Sequence, residues 1–346
     1  MTDLQPLAPK KGVKMYLDAR RDELSDETRR KQKARLDSFV AWCEENDLEN
    51  LNNLTGRDLQ HYRQWRKNGD GEDYGEVKNL TVYSNLTTLR VFLEYCANID
   101  AVEPGLRERV MLPDVRSESK DTKVPEARMR DILDKLERYE YASRRHVMIS
   151  LMWHGALRIG TMRALDVEDF KPEEPCLELR HRPETDTPLK NGDGAERDLA
   201  LSQFYAGVIQ DYIEENRQEV KDEHGRNPLI TSRQGRLSRT PYRTTAYIVS
   251  QPCWTNGCPH GKERATCDWT EANKRSLCPS SRSPHDFRRT SISHHLKIGQ
   301  PPEVVSDRVD ATLDVIDQHY DERSEREKMR TRKKLLNRVG WEEAHE

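Results

Sequence analysis

The sequence predicts a mainly α-helical chain with a small antiparallel β-sheet, divided into two domains. Three observations carry this. Apolar residues recur at three- and four-residue steps through most of the first hundred residues. A stretch rich in small and charged residues, VMLPDVRSESKDTKV at 110–124, reads as a linker. Strand-like pieces cluster beyond it, around the turn signal Asn191-Gly192-Asp193-Gly194. Domains usually run to about 100–200 residues, so a chain of 346 residues suggests two. The expected division is a helical domain at 13–110, a linker at 111–124, a second domain at 125–325 with a cysteine-rich insert at 253–278, and a tail at 326–346.

Residues 1–12 read as a loose tail. The next helical stretch places Leu36, Phe39, Val40 and Cys43 on one face, and Ser25 ahead of Glu27 and Thr28 suits a helix start. LTGRDLQHYRQWRKN is a second helix, with Thr55 as N-cap and Asp58 as its capping-box partner. GDGEDYG at 69–75 is a loop. A third helix follows, with Leu86, Leu89, Phe92, Leu93 and Cys96 on one stripe. Beyond the linker, VPEARMRDILDKLER and the strongly apolar RRHVMISLMWHGAL are helical; CLELRHRP and TPLKNGDGAERDLALS hold strands joined by a hairpin turn. Helix and loop alternate after that.

Hydrophobic residues make up 34% of the chain and charged residues as many, which allows modest cores. No run approaches the roughly 18 apolar residues of a membrane span. The N-terminus has no apolar core of a secretory leader, so a cytoplasmic protein without membrane partners is expected. Net charge is −3 and the pI about 6.4. A generic DNA binder is more basic, because neutralised phosphates supply much of its affinity. Here the bases are clustered, at Arg20-Arg21, Arg29-Arg30-Lys31, Arg288-Arg289 and from Arg326 to Lys334.

Four short segments carry chemistry. HGALRIGTMRALDVEDF contains Arg158, and TPLKNGDGAERDLALS contains Lys190 just before the turn. SPHDFRRTSISHHLKIG contains His285 and Arg288 in an H-x-x-R arrangement, and VVSDRVDATLDVIDQHYDE contains Tyr320. Each has an ordinary reading alone. Arg158 suits a helix C-terminus, Lys190 a solvated turn, His285-Asp286 a capping pair, and Tyr320 an interface aromatic. Together, in this order, they resemble the catalytic domain of the tyrosine recombinases, the phage-integrase family, over about residues 125–325. The helical region before them is similar to that family's SAM-like core-binding domain.

The resemblance implies a site-specific recombinase that cuts and rejoins double-stranded DNA through a 3′-phosphotyrosine on Tyr320, without a catalytic cofactor. Physical chemistry accounts for the residue types. Two guanidiniums clamp the anionic phosphodiester oxygens bidentately, the role implied for Arg158 and Arg288. A tyrosine hydroxyl, with an ordinary pKa of about 10, needs a base such as His285, one helical turn from Arg288. Lys190 is the implied donor of a proton to the leaving 5′-oxygen.

Two positions depart from the family pattern. The His or Trp common about ten residues before the tyrosine is missing from Val309-Asp310-Ala311, where Asp310 is the nearest polar residue. The acidic residue common three places after the first arginine is Thr161. These departures sustain an alternative, a non-catalytic zinc-containing DNA-binding regulator on the same fold. A type IB topoisomerase is a related enzymatic reading.

Cys43, Cys96 and Cys176 read as ordinary buried thiols. Cys253, Cys258, Cys267 and Cys278, with His260 as a substitute, crowd into one polar segment and suggest a structural zinc site. The spacing is not that of a standard paired CxxC ribbon; free thiols in a loop are the plain alternative. The insert and the acidic composition most resemble haloarchaeal integrases. If the family's DNA clamp carries over, Arg29, Arg30, Lys33, Arg63 and Arg66 face phosphates, and Asn85, Thr87 and Thr88 face a groove. His294 and His295 are expected on the surface, and His319 points away from Tyr320's face. The resemblance further implies a homotetramer on DNA, with the tail docked on a neighbour; a solvated helix is the other reading of the tail.

Overall fold

Pro9 opens the first helix, α1 (Pro9–Ala19), inside the stretch expected to be a loose tail. Proline suits that position because its missing N–H would have no helical partner. The preceding turn is anchored too: Leu7 is buried and its carbonyl accepts from the Leu51 N–H at 2.9 Å. The computed structural model describes residues 4–69, 76–115 and 122–338, in two units, Met1–Asp121 and Thr122–Glu346. The expected loop at 69–75 lies outside the described residues from position 70 onward, as do linker residues 116–121 and the end of the tail from 339.

The first unit is a helical bundle. Helix α2 (Asp26–Glu45) starts at Ser25, whose hydroxyl accepts from the Thr28 N–H. Helix α3 (Gly56–Lys67) carries the expected Thr55–Asp58 capping box. Helix α4 (Asn79–Asn98) supplies Leu86, Leu89, Phe92, Leu93 and Cys96 to a core shared with Leu36, Phe39, Val40 and Cys43 of α2. Aromatic edges fix the packing: the rings of Phe39 and Tyr62 meet at 5.3 Å and 80°. Burial raises the Cys43 and Cys96 thiols to about 12, so both are inert fillers. Asn85 and Thr88 are buried in this bundle and do not face a groove. Thr87 is exposed but its hydroxyl donates to the Tyr83 carbonyl. Arg29 and Lys33 pair along their own helix with Asp26 and Asp37, each at 2.7 Å.

In the second unit, α5 (Glu126–Tyr139) packs by one face on α6 (Arg144–Trp153), which is apolar almost all round and buried along most of its length. The short α7 (Ile159–Ala164) leads into strand β1 (Phe170–Lys171), which extends the expected strands β2 (Cys176–Leu179) and β3 (Arg197–Ala200) into a three-stranded antiparallel sheet. Leu177 pairs with Phe170 on one side and Leu199 on the other, and all three are buried. Cys176 is only half-buried on this sheet. Asn191-Gly192-Asp193-Gly194 does not form a two-residue hairpin turn. Pairing ends at Leu179–Arg197, and the segment is a 3₁₀ turn in a loop running from 180 to 196. That loop is held by its own bridge, Arg182–Thr187, which wins over the local turn preference.

Helix α8 (Gln203–Asp211), a two-stranded ribbon of β4 (Thr231–Ser232) and β5 (Gly235–Arg236), α9 (Arg239–Ser250) and the single turn α10 (Pro252–Thr255) complete the main core. Buried charges tie the loops to it. Asp166 takes Arg226 and Arg236 at 2.5 Å each, and Arg236 also holds Asp222 at 2.7 Å. Helices α11 (Pro284–Lys297), α12 (Pro302–Val309) and α13 (Leu313–His319) form a second cluster of Ala156, Ile292, Leu296, Val305, Val309, Ile316 and Tyr320. Helix α14 (Glu325–Arg338) makes the described part of the tail. Among the described residues, no helix is long and apolar enough to cross a membrane.

Candidate active site

The second cluster brings together three of the four chemical segments. Helix α6 stops at His154, and the chain turns through Gly155 and Ala156. A Cβ on Gly155 would sit 2.9 Å from the Leu151 carbonyl, and Ala156 adopts a left-handed φ of 48°. This sharp turn delivers Arg158 to the N-cap of α7. It is not a helix C-terminus, where a cation would be favoured, so dipole compensation does not explain Arg158. Two other helices pin the turn: Ser291 of α11 donates to the Trp153 carbonyl, and the His154 carbonyl lies 3.3 Å from His295 Nε2 of α11 and accepts from Arg308 of α12 at 3.0 Å. His295 is therefore buried and structural, against the surface position expected of it.

Helix α11 begins with Pro284 and a Ser283–Asp286 capping box, which fixes the direction of its first turn. His285 and Arg288 project from that end. Arg288 is only 3% exposed and donates to two carbonyls, Ala156 and Val309 (2.6 Å). It also hydrogen-bonds Tyr320. Burial, then Arg158, disfavours its charge, and the charge and hydrogen bond of Tyr320 oppose that. A guanidinium stays protonated throughout the working range regardless.

Tyr320 follows the last residue of α13 and is 7% exposed. Its ring sits in the second cluster, and its carbonyl accepts from Ser293 of α11 at 3.0 Å. The backbone of the tyrosine is thus set against α11, and the hydroxyl meets Arg288. His285 is exposed as a residue, yet neighbouring atoms crowd its ring. That partial burial, then the charge of Arg288, lowers its pKa from the usual value, with Arg289 and Arg158 adding and Asp286 opposing. Near neutral pH it is the uncharged imidazole a base requires. His319 is exposed.

Asp310 was the residue whose part sequence reasoning missed. It ends α12 in a left-handed conformation, φ 52°, which aspartate tolerates better than most. Its carboxylate takes Arg158 at 2.5 Å and its carbonyl accepts from the same guanidinium at 2.7 Å. The other carboxylate oxygen accepts from Asn191 at 2.9 Å. Through Asn191 and Asp310 the loop carrying Lys190 is linked to Arg158. Lys190 itself is exposed; its neighbour Leu189 is anchored by donating to His181 Nδ1 at 2.9 Å. Arg197 is a further cation here: burial lowers its pKa, Asp310 opposes and Arg158 adds. Thr161 is buried.

The cysteine segment lies outside this cluster. Burial, then the charge of Arg264 in the opposite sense, acts on Cys253, whose thiol is raised with contributions from Cys258 and Cys278. Cys267 and Cys278 are buried, and all four are free thiols. His260 is engaged with Ser280 Oγ at 3.0 Å and edge-on to Trp269. Among the described residues, no three His, Cys, Asp or Glu side chains are arranged to hold a metal ion.

No protein-family model matches the sequence, and no curated protein matches it. Solved structures do. The integrase of the Tn1549 transposon, in complex with transposon right-end DNA, is 13% identical and superposes with a TM-score of 0.66 over 95% of this chain and 100% of that one. A lambda integrase dimer bound to a core site is 11% identical, with a TM-score of 0.61 over 93% of this chain and 97% of that one. The N-terminal domain of a phage integrase/site-specific recombinase from Haloarcula marismortui is 34% identical over 32% of this chain and 99% of that domain, with a TM-score of 0.29. The first two likenesses establish that the chain has the integrase fold.

Proposed function

We propose that the chain is a site-specific DNA recombinase of the tyrosine type. The observation that carries this is the meeting of the Tyr320 hydroxyl with a buried Arg288, beside Arg158 and an imidazole whose surroundings keep it neutral. In this reading the phosphate of a DNA strand lies between the two guanidiniums. Tyr320 attacks phosphorus as His285 takes the phenolic proton. The P–O bond to the 5′-oxygen breaks, Lys190 supplies that oxygen's proton, and a 3′-phosphotyrosine remains. The phosphoester bond is exchanged and not spent, so rejoining consumes no nucleotide. Duplex DNA is the partner; the Tn1549 and lambda proteins, both integrases bound to DNA, support that. Two sites exchanging strands need four active chains, so the working form is a homotetramer that integrates a mobile element or resolves replicon multimers.

The regulator reading has its own support: Arg158 is held by Asp310, in the neighbourhood where the family carries His or Trp. Covalent trapping separates the two. Wild type and Tyr320→Phe are incubated with nicked duplexes drawn from the flanks of the native gene and run on denaturing gels. A DNA-shifted band from wild type alone is expected. No band from wild type, despite binding in a native gel, would favour the regulator.

The structural-zinc reading of Cys253, Cys258, Cys267 and Cys278 stands on the donor set alone, four thiols within one polar segment. The thiols would have to close on the ion from their positions here.

A further inference from the structure

The anion-binding faces of the site are not open. Arg158, Arg197 and Arg288 lie within electrostatic reach of one another, and Asp310 is the carboxylate that meets the first of these. Its two oxygens are divided between Arg158 and Asn191. A carboxylate against a guanidinium has the charge and the paired acceptor geometry of two phosphate oxygens. The pair is mostly shielded, with the Arg158 and Asp310 side chains 25% and 13% exposed.

We infer that Asp310 is an internal competitor for the phosphate: its carboxylate occupies the binding face of Arg158 and ties down the Lys190 loop until an incoming phosphate displaces it. The inference rests on the proposed function for the identity of the phosphate, but the competition is a property of Arg158 and Asp310 alone. One displacement has two consequences. It frees Arg158 to turn to the new anion, and it releases Asn191, so that the exposed Lys190 beside it moves only after the site is filled. A proton donor withheld until the phosphate is seated protects against cleavage at an unfilled or misaligned site. The helix end supports such a switch, because Asp310 sits in a left-handed turn between α12 and α13, and its movement need not disturb either helix.

The test uses inorganic phosphate as probe, so it depends on neither the DNA target nor the nucleophile. Phosphate affinity of the full chain is measured by calorimetry for wild type, Asp310→Asn and Asp310→Gly. The glycine variant suits the left-handed backbone should asparagine fold poorly. Removing the competing charge should tighten phosphate binding by roughly tenfold, and Arg158→Ala in the same background should abolish the gain. Hydrogen exchange should also quicken over residues 187–195 in both variants. Unchanged or weaker phosphate binding in both would overturn the competition, as would a gain that survives Arg158→Ala. Loss of covalent trapping by wild type, with the phosphate result intact, would sink the proposed reaction and leave the competition standing.

Discussion

Replacing Arg288 with lysine tests how the site is held together as well as how it would act. The guanidinium donates to the Ala156 and Val309 carbonyls and meets Tyr320, all while 3% exposed. A lysine ammonium keeps the charge but reaches one of the two carbonyls from that position. A buried acceptor left without a donor costs about 1–3 kcal/mol. The turn at Ala156 also loses its support, and a non-glycine residue with φ 48° relaxes only if the chain moves. A net loss of about 2 kcal/mol follows, or a fall in Tm of about 4–8 °C for a unit of this size. Thermal unfolding followed by circular dichroism reads it. On the proposed chemistry, losing the planar fork lowers the rate of covalent capture by about 10²–10³-fold. A variant that melts with wild type and captures DNA at the wild-type rate would refute both uses of the residue. A stable but inactive variant would confine Arg288 to the clamp.

Three further expectations follow from the same structure. The pKa of His285 is lowered by burial and by Arg288, so its neutral form persists to below the usual 6.5 or so; capture should be flat through neutral pH and fall on acidification with a midpoint under that value, a limb that His285→Gln removes. Asp166→Ala removes the carboxylate that Arg226 and Arg236 share, and breaking a buried pair from one side costs about 3–5 kcal/mol, read as a drop in urea midpoint; a shift below about 1 kcal/mol would mean that Asp222 and the remaining partners suffice. If the cysteine segment is a zinc site, atomic spectroscopy of the purified chain gives one zinc per chain, and chelation lowers its Tm; a metal-free chain with four reactive thiols in that segment would retire the idea.

Burial also sets an acid limit that is independent of the proposed chemistry. His146 and His295 have their pKa values lowered to about 4 by burial. In the unfolded chain both titrate near 6.5. Between those values the unfolded state binds more protons, so stability falls as pH drops from about 6.5 toward 4 and the loss ends below the folded value. His295 is tied to the His154 carbonyl at 3.3 Å, a contact that favours its charged form, so the penalty on protonation comes from burial and from the charge of Arg308. Acid sensitivity of melting should accordingly weaken in His295→Gln. An unchanged pH slope in that variant would remove His295 from the account.

What could be read in the sequence, and what could not, divides along physical lines. Helices α2 to α4 were legible because their apolar stripes and the Ser25 and Thr55 caps are local signals that tertiary structure had no reason to override. The first turn of α1, at 9–12, was not, because it depends on Leu7 and Gly12 meeting residues far along the chain. The turn signal at 191–194 misled for the same reason: the Arg182–Thr187 bridge and the anchoring of Leu189 hold the loop open. Strand β1, two residues long, carries no alternation to detect. Arg158, His285, Arg288 and Tyr320 could be picked out because their four segments, taken in order, resemble one family's pattern, although each residue alone has an ordinary reading. Asp310 could not. A single acid between two helices is ordinary in a sequence, and its pairing with Arg158 exists only once α12 and α7 are brought together. That difference has a consequence for chemistry. Residues that act on a substrate are constrained by the substrate and so leave a trace in the sequence. A residue that acts by occupying the substrate's place needs only a charge at the right point in space, and its role becomes visible when the fold supplies that point.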